Sequence, residues 1–166
     1  MSPALELVLI TLMNWIHLFA TVAWIGGITT MIFVVSPGVK AALEPPVIGK
    51  LMDVLVKRMK MLVYINAALL IVTGFVLQGL NPAYADYGFG SRLPAILVIK
   101  HILILIMIIL GIYVSEKVGP KISKLAAKGP SPEIGRLQKK QVSIGFINFI
   151  LGLLVLLLSG YMSALT

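Results

Sequence analysis

Four stretches of this chain are apolar for long enough to cross a bilayer: about Leu5–Val35, Met61–Leu80, Pro94–Ser115 and Val142–Leu165. A spanning helix needs about 20 mainly apolar residues. Inside lipid the backbone must satisfy its own hydrogen bonds, which helices do within one segment. The chain is therefore expected to be an all-α integral membrane protein, a four-transmembrane-helix bundle forming one domain over its 166 residues. Composition agrees, with 59% hydrophobic and only 12% charged residues and a mean hydropathy of +1.03; a soluble domain carries about 25% charged residues. The first stretch is longer than a bilayer needs, so it should tilt or project. The opening "MSPALELVLI" has no basic flank and runs into a long apolar segment, which reads as a first span rather than a signal peptide.

The loops set the orientation. Lys40, Lys50, Lys57, Arg58 and Lys60 lie between the first two spans, and Lys117, Lys121, Lys124, Lys128, Arg136, Lys139 and Lys140 between the last two. The middle loop, "NPAYADYGFGSR", has Arg92 alone. Positive residues favour the cytoplasmic side, so both termini are expected outside, in a multi-pass protein of the cell membrane. The net charge of +8 is then topogenic rather than a sign of nucleic acid. Tyr84, Tyr87 and Phe89 suit an outer aromatic belt. Helix stops are expected at Ser36–Gly38, Asn81–Pro82 and Val118–Pro120.

The two halves echo each other. Ile48-Gly49-Lys50-Leu51 matches Ile134-Gly135-Arg136-Leu137, and Thr73-Gly74 matches Ser159-Gly160. Pro37 and Pro120 each follow the half's single histidine, His17 or His101, by about twenty residues. Two hairpins of the same orientation imply a pseudo-twofold axis along the membrane normal. Counted at about 1.5 Å per residue, both histidines lie roughly 10–15 Å deep in the outer half.

Ionisable groups in the hydrocarbon face the bundle interior and mark function. Neutral imidazole ligates heme iron or copper, relays protons, or bonds a neighbouring helix. Met13, Ala20, Thr21, Trp24, Ile28 and Met31 share the face of His17; Pro94, Leu97, Val98, Ile104, Leu105 and Ile108 share that of His101. These apolar, partly aromatic walls suit a porphyrin between helices. Ala20, Ala23, Gly26 and Gly27 allow a close helix approach. Lys100 and Arg92 are the only bases on the outer side and suit heme propionates. Copper would use Met13 with His17 and His101, but the third span offers no methionine on the histidine face, since Met107 points elsewhere. Glu6 and Glu116 sit at the span edges, too far out for a buried proton chain. Asn66 and Asn148 suit helix–helix hydrogen bonds. The absence of cysteine excludes disulfides, thiolate metal sites, iron–sulfur clusters and covalent c-type heme.

The run "WIHLFATVAWIGGITTMIFVVSPG" resembles the first span of CopD-like proteins, the copper-resistance D family, with its His17-x6-Trp24-x-Gly26-Gly27 pattern. "RMKMLVYINAALLIVTG" and "KHILILIMIILGIYVSEKVGPK" resemble that family's later spans. The resemblance implies copper as ligand or cargo. The chain is also similar to small four-helix membrane cytochromes b. The expectation is a heme b redox protein with His17 and His101 as axial ligands, Lys100, Arg92, Trp24 and Thr21 around the cofactor, and electron transfer as its role. With one ligand it would be an oxidoreductase or sensor for a small gas, with Tyr64, Tyr113 and Trp24 as redox candidates. A quinol, a small gas and the lipid bilayer are the partners this admits, and a homo-oligomer is compatible with it. The alternative is a copper-binding or copper-transport protein on Met13, His17 and His101.

Twelve of the fourteen basic residues fall in two loops, so reporters fused at Gly129 and at Thr166 should give opposite signals for cytoplasmic and external location. Matching signals would refute four spans.

Overall fold

Proline would normally break a helix, because it lacks an N–H and its ring collides with the carbonyl four residues back. In the computed structural model, which describes residues 2–80, 92–129 and 131–164, two prolines are instead carried inside long helices. For residues 45, 46, 49 and 92–94 the backbone alone is described. The first helical rod comprises α1 (Pro3–Thr30), a π turn (Met31–Val35) and α2 (Ser36–Ala42). It is followed by α3 (Pro45–Leu80). The third rod comprises α4 (Arg92–Tyr113), a second π turn (Val114–Val118) and α5 (Gly119–Ala126). The fourth is α6 (Pro132–Ser163). Tyr84, Tyr87, Phe89 and the Asn81–Pro82 stop lie outside the described residues, as does the Arg92 side chain.

The helix stops expected at Ser36–Gly38 and Val118–Pro120 are thus corrected. Each proline sits at the start of the segment after a π turn. The Ser36 N–H bonds back to Met31 O and the Gly119 N–H to Val114 O, five residues away in both cases. The extra residue absorbs the register that proline cannot support, and the helix runs on.

Four helices are long and apolar enough to span a membrane: Pro3–Ala42, Lys50–Leu80, Ala95–Ala126 and Pro132–Ser163. No strand occurs among the described residues. The protein is an all-α, multi-pass membrane bundle. Its outward surface is apolar, as a lipid-facing surface must be: Leu18, Val22, Phe75, Val98 and Leu157 are all exposed. The 36 residues of α3 extend about 54 Å at 1.5 Å per residue, well beyond a hydrocarbon core of about 30 Å. The surplus projects at the lysine-rich end, where it begins as an amphipathic segment.

The helices stand in a ring. α1 packs along α3, α4 packs along α6, and lighter contacts of α3 with α4 and α1 with α6 join the two hairpins. α1 and α4 occupy opposite corners. One residue from each helix meets at the centre: Trp24, Ala67, Met107 and Val155. Asn148 Nδ2 donates to Met107 O across 3.3 Å, which bears out the helix–helix role expected of that asparagine. At the lysine-rich end, Lys60 pairs with Glu116 at 2.8 Å and Lys121 with Glu133 at 2.6 Å. Tyr64 donates to the same Glu116 at 2.5 Å, and Ser123 bonds Asp53. Such exposed ion pairs contribute about 0–1 kcal/mol each and serve chiefly to fix orientation.

The repeat has a definite register. Trp24 and Met107, Met31 and Val114, and Pro37 and Pro120 are each 83 residues apart. The two histidines are 84 apart.

Gly119 is where the second π turn meets α3. A Cβ there would stand 2.6 Å from Val56 Cγ1, whereas one at Gly38 would meet nothing within 4 Å. Gly119→Ala should destabilise the protein by about 1–3 kcal/mol through overpacking. Gly38→Ala should be neutral or stabilising by up to about 1 kcal/mol. Thermal unfolding of both variants in detergent checks the contrast.

Candidate functional site

The side chain that best meets the demands of a buried reactive group is His17. It is half-buried on the inner face of α1, against α3. Gly74 leaves room for the ring: a Cβ there would lie 3.6 Å from His17 Cε1. His17 Nδ1 lies 2.8 Å from Thr73 Oγ1. Thr73 is 2% exposed, and its hydroxyl donates to Leu69 O at 2.5 Å. A hydroxyl has a single proton, and a carbonyl can only accept. Thr73 must therefore accept from His17, so Nδ1 carries the hydrogen and Nε2 keeps its lone pair. That is the pattern in which a second group fixes the tautomer of a ligating or proton-accepting imidazole.

Thr21 donates to His17 O at 2.8 Å. Its proton is therefore spent on its own helix, and it braces the backbone rather than reaching outward. Met13 lies one turn away on the same side and is half-buried.

Opposite His17 stands Lys100, half-buried, with its ammonium close enough to act electrostatically on the imidazole. The 83-residue register makes Lys100, not His101, the counterpart of His17. One residue along a helix is a turn of about 100°. His101 is accordingly exposed on the outer side of α4. Its Nδ1 bonds Leu97 O at 2.7 Å, and since the carbonyl only accepts, Nε2 is again the bare nitrogen. The expected meeting of His17 and His101 face to face is thus not what the packing brings about. The half-repeats match in sequence at the histidines but match in space one residue earlier.

The remaining sequence candidates are dispersed. Trp24 lies in the central layer, two turns from His17 toward the lysine-rich end. Tyr64 is engaged by Glu116. Tyr113 accepts from Lys140 at 2.7 Å, with the ammonium 5.0 Å from the ring centroid. Both tyrosines are therefore surface braces, remote from His17. Among the described residues no cluster of three or more His, Asp or Glu could hold a metal by itself.

A porphyrin ligated by both histidines of one chain does not fit this geometry, since His101 points away from α1. One ligated by His17 alone fits the donor set. It has a free Nε2, an Nδ1–H held by threonine, and an ammonium at hand for a propionate.

Sequence reading overlooked a second feature. A cavity of about 1290 Å³ occupies the lysine-rich half of the bundle. Its floor includes Trp24, Asn66 and Asn148. Its sides include residues of both π turns, Met31, Ile32, Val114 and Ser115, and its mouth carries several lysines. Both π turns, each followed closely by a proline, thus border the cavity. The symmetric spacing of the prolines was the available signal.

Residues 19–131 match the family described as a domain of unknown function, DUF4149. The match contains Thr73, Lys100 and both π turns, begins just after His17, and ends before α6. No match was found among curated proteins or solved structures.

Thr73→Val should leave Nδ1–H of His17 without an acceptor, at a cost of about 1–3 kcal/mol, while Thr73→Ser should preserve the bond. Thermal unfolding and the nitrogen chemical shifts of His17 should show the loss of the single tautomer in the valine variant alone.

Proposed function

We propose that this chain, which belongs to the DUF4149 family, is a membrane heme b-binding redox protein with His17 as its single axial ligand. The observation that carries this reading is the His17–Thr73–Leu69 chain of hydrogen bonds, 2.8 and 2.5 Å long, which commits Nδ1–H and leaves Nε2 as a donor of electrons. Heme b held there supplies one-electron chemistry and an open face for a small gas. Thr73 orients the ring and raises its basicity. Lys100 balances a propionate, in surroundings where a charge-assisted hydrogen bond is strong. The apolar bundle keeps bulk water from the imidazole. With the lysine-rich end cytoplasmic, the site lies in the outer half of the membrane, accessible to a quinol from the bilayer. A copper site on Met13, His17 and His101 has less support. His101 faces away, and Lys100 puts a positive charge beside the imidazole.

The test is the absorption spectrum of protein produced with adequate heme. A Soret band with a five-coordinate, high-spin signature is expected. His17→Ala should lose it, and His101→Ala should keep it. Lys100→Met should weaken heme retention and lower the midpoint potential, because the oxidised iron loses a repelling neighbour. Colourless native protein that binds copper instead would overturn the proposal. Equal loss of heme in the two histidine variants would return both to the iron.

A further inference from the structure

We propose that the cavity at the lysine-rich end is a second binding site, for an amphipathic organic anion that carries a hydroxyl at its apolar end. The site is separate from the histidine centre, since neither histidine lines it.

Two observations define the deep end. Trp24 Nε1 and Asn148 Oδ1 are buried without a hydrogen-bond partner, and both residues line the cavity. Trp24 is 6% exposed and Asn148 5%. The Asn148 amide is not free to turn, because Nδ2 is engaged with Met107 O at 3.3 Å. Its oxygen is thus a fixed, unfilled acceptor, and the indole N–H is an unfilled donor. Leaving such groups unpaired costs about 1–3 kcal/mol each. A hydroxyl can serve either group, accepting from Trp24 or donating to Asn148. A carboxylate can only accept, so it serves the indole and not the amide oxygen.

The mouth has the opposite character. Lys40, Lys50, Lys57, Lys60 and Lys124 line it, with Asp53 as the one acidic group among its lining residues. Lys57 is held by Asp53 at 2.7 Å and Lys60 by Glu116 at 2.8 Å. The lining retains a net positive charge, which selects an anion at the rim. Between rim and floor the walls are apolar, with Ile28, Val56, Met59, Val63 and Leu110. From Lys57 to Asn66, nine residues of α3 span about 13 Å. An alkyl chain of medium length reaches from one to the other.

The chain has two tryptophans, and Trp15 is 64% exposed on the lipid face. Trp15→Phe therefore leaves Trp24 as the sole reporter. This protein, in phosphatidylcholine nanodiscs, should be titrated with 12-hydroxydodecanoate, dodecanoate and 1,12-dodecanediol, following Trp24 emission. The hydroxy acid should give a saturable shift and bind about three- to tenfold tighter than either of the others. Asn148→Leu should erase its advantage over dodecanoate, and Lys50→Gln with Lys124→Gln its advantage over the diol. Equal affinities for the three, or no saturable shift, would mean that neither the lysine rim nor the polar floor selects a ligand and would overturn the proposal. If Asn148→Leu does not fold, the three-ligand comparison on the Trp15→Phe protein still decides the question. Heme content need not be measured, so failure here leaves the His17 reading untouched.

Discussion

Two prolines inside membrane helices constrain most of this structure. Neither Pro37 nor Pro120 can donate to the regular bonding of an α-helix, and each follows a π turn with one residue between. The turns occupy matching places in the two halves, which fixes the register of the repeat at 83 residues. That register puts Trp24 and Met107 together in the central layer. It also sets what faces the axis farther out: His17 from one half and Lys100 from the other. The same turns border the wide chamber below the central layer. The histidine centre and the lysine-rimmed chamber thus lie on opposite sides of the central layer.

The bundle divides into unlike halves. Toward the end that carries His17, polar groups are few among the described residues, and the buried ones include the His17–Thr73–Leu69 chain. Toward the other end, the helices outrun the membrane and carry lysines, ion pairs and an open chamber. α1 pairs closely with α3 and α4 with α6, against lighter packing between the two hairpins.

Much of this was legible in the sequence. Four apolar runs gave the spans, because hydrocarbon thickness leaves few alternatives. The repeated Ile-Gly-basic-Leu motif and the paired prolines gave the twofold arrangement. Asn148 was legible as an interhelical bond. What the sequence could not give was the rotation of α4. His17 and His101 match as letters, but helices are read in steps of about 100°, and an offset of 84 instead of 83 moves a side chain from the axis to the lipid. The prolines read as stops because a π turn has no sequence mark of its own. Thr73 went unread as the partner of His17 because it is 56 residues away, and nothing local links the two. The chamber was hidden because it depends on where four helices diverge.

Lys100 turns inward, half-buried, while the next residue, His101, is exposed toward lipid. The chain has no cysteine, so single cysteines at positions 100 and 101 can each carry a nitroxide without background labelling. Collision with dissolved oxygen, measured by electron paramagnetic resonance in bilayers, reports lipid exposure directly. The label at position 101 should collide freely and the label at position 100 should be shielded. A shielded label at 101 with an exposed one at 100 would contradict the register, and would bring the two histidines back to a common face.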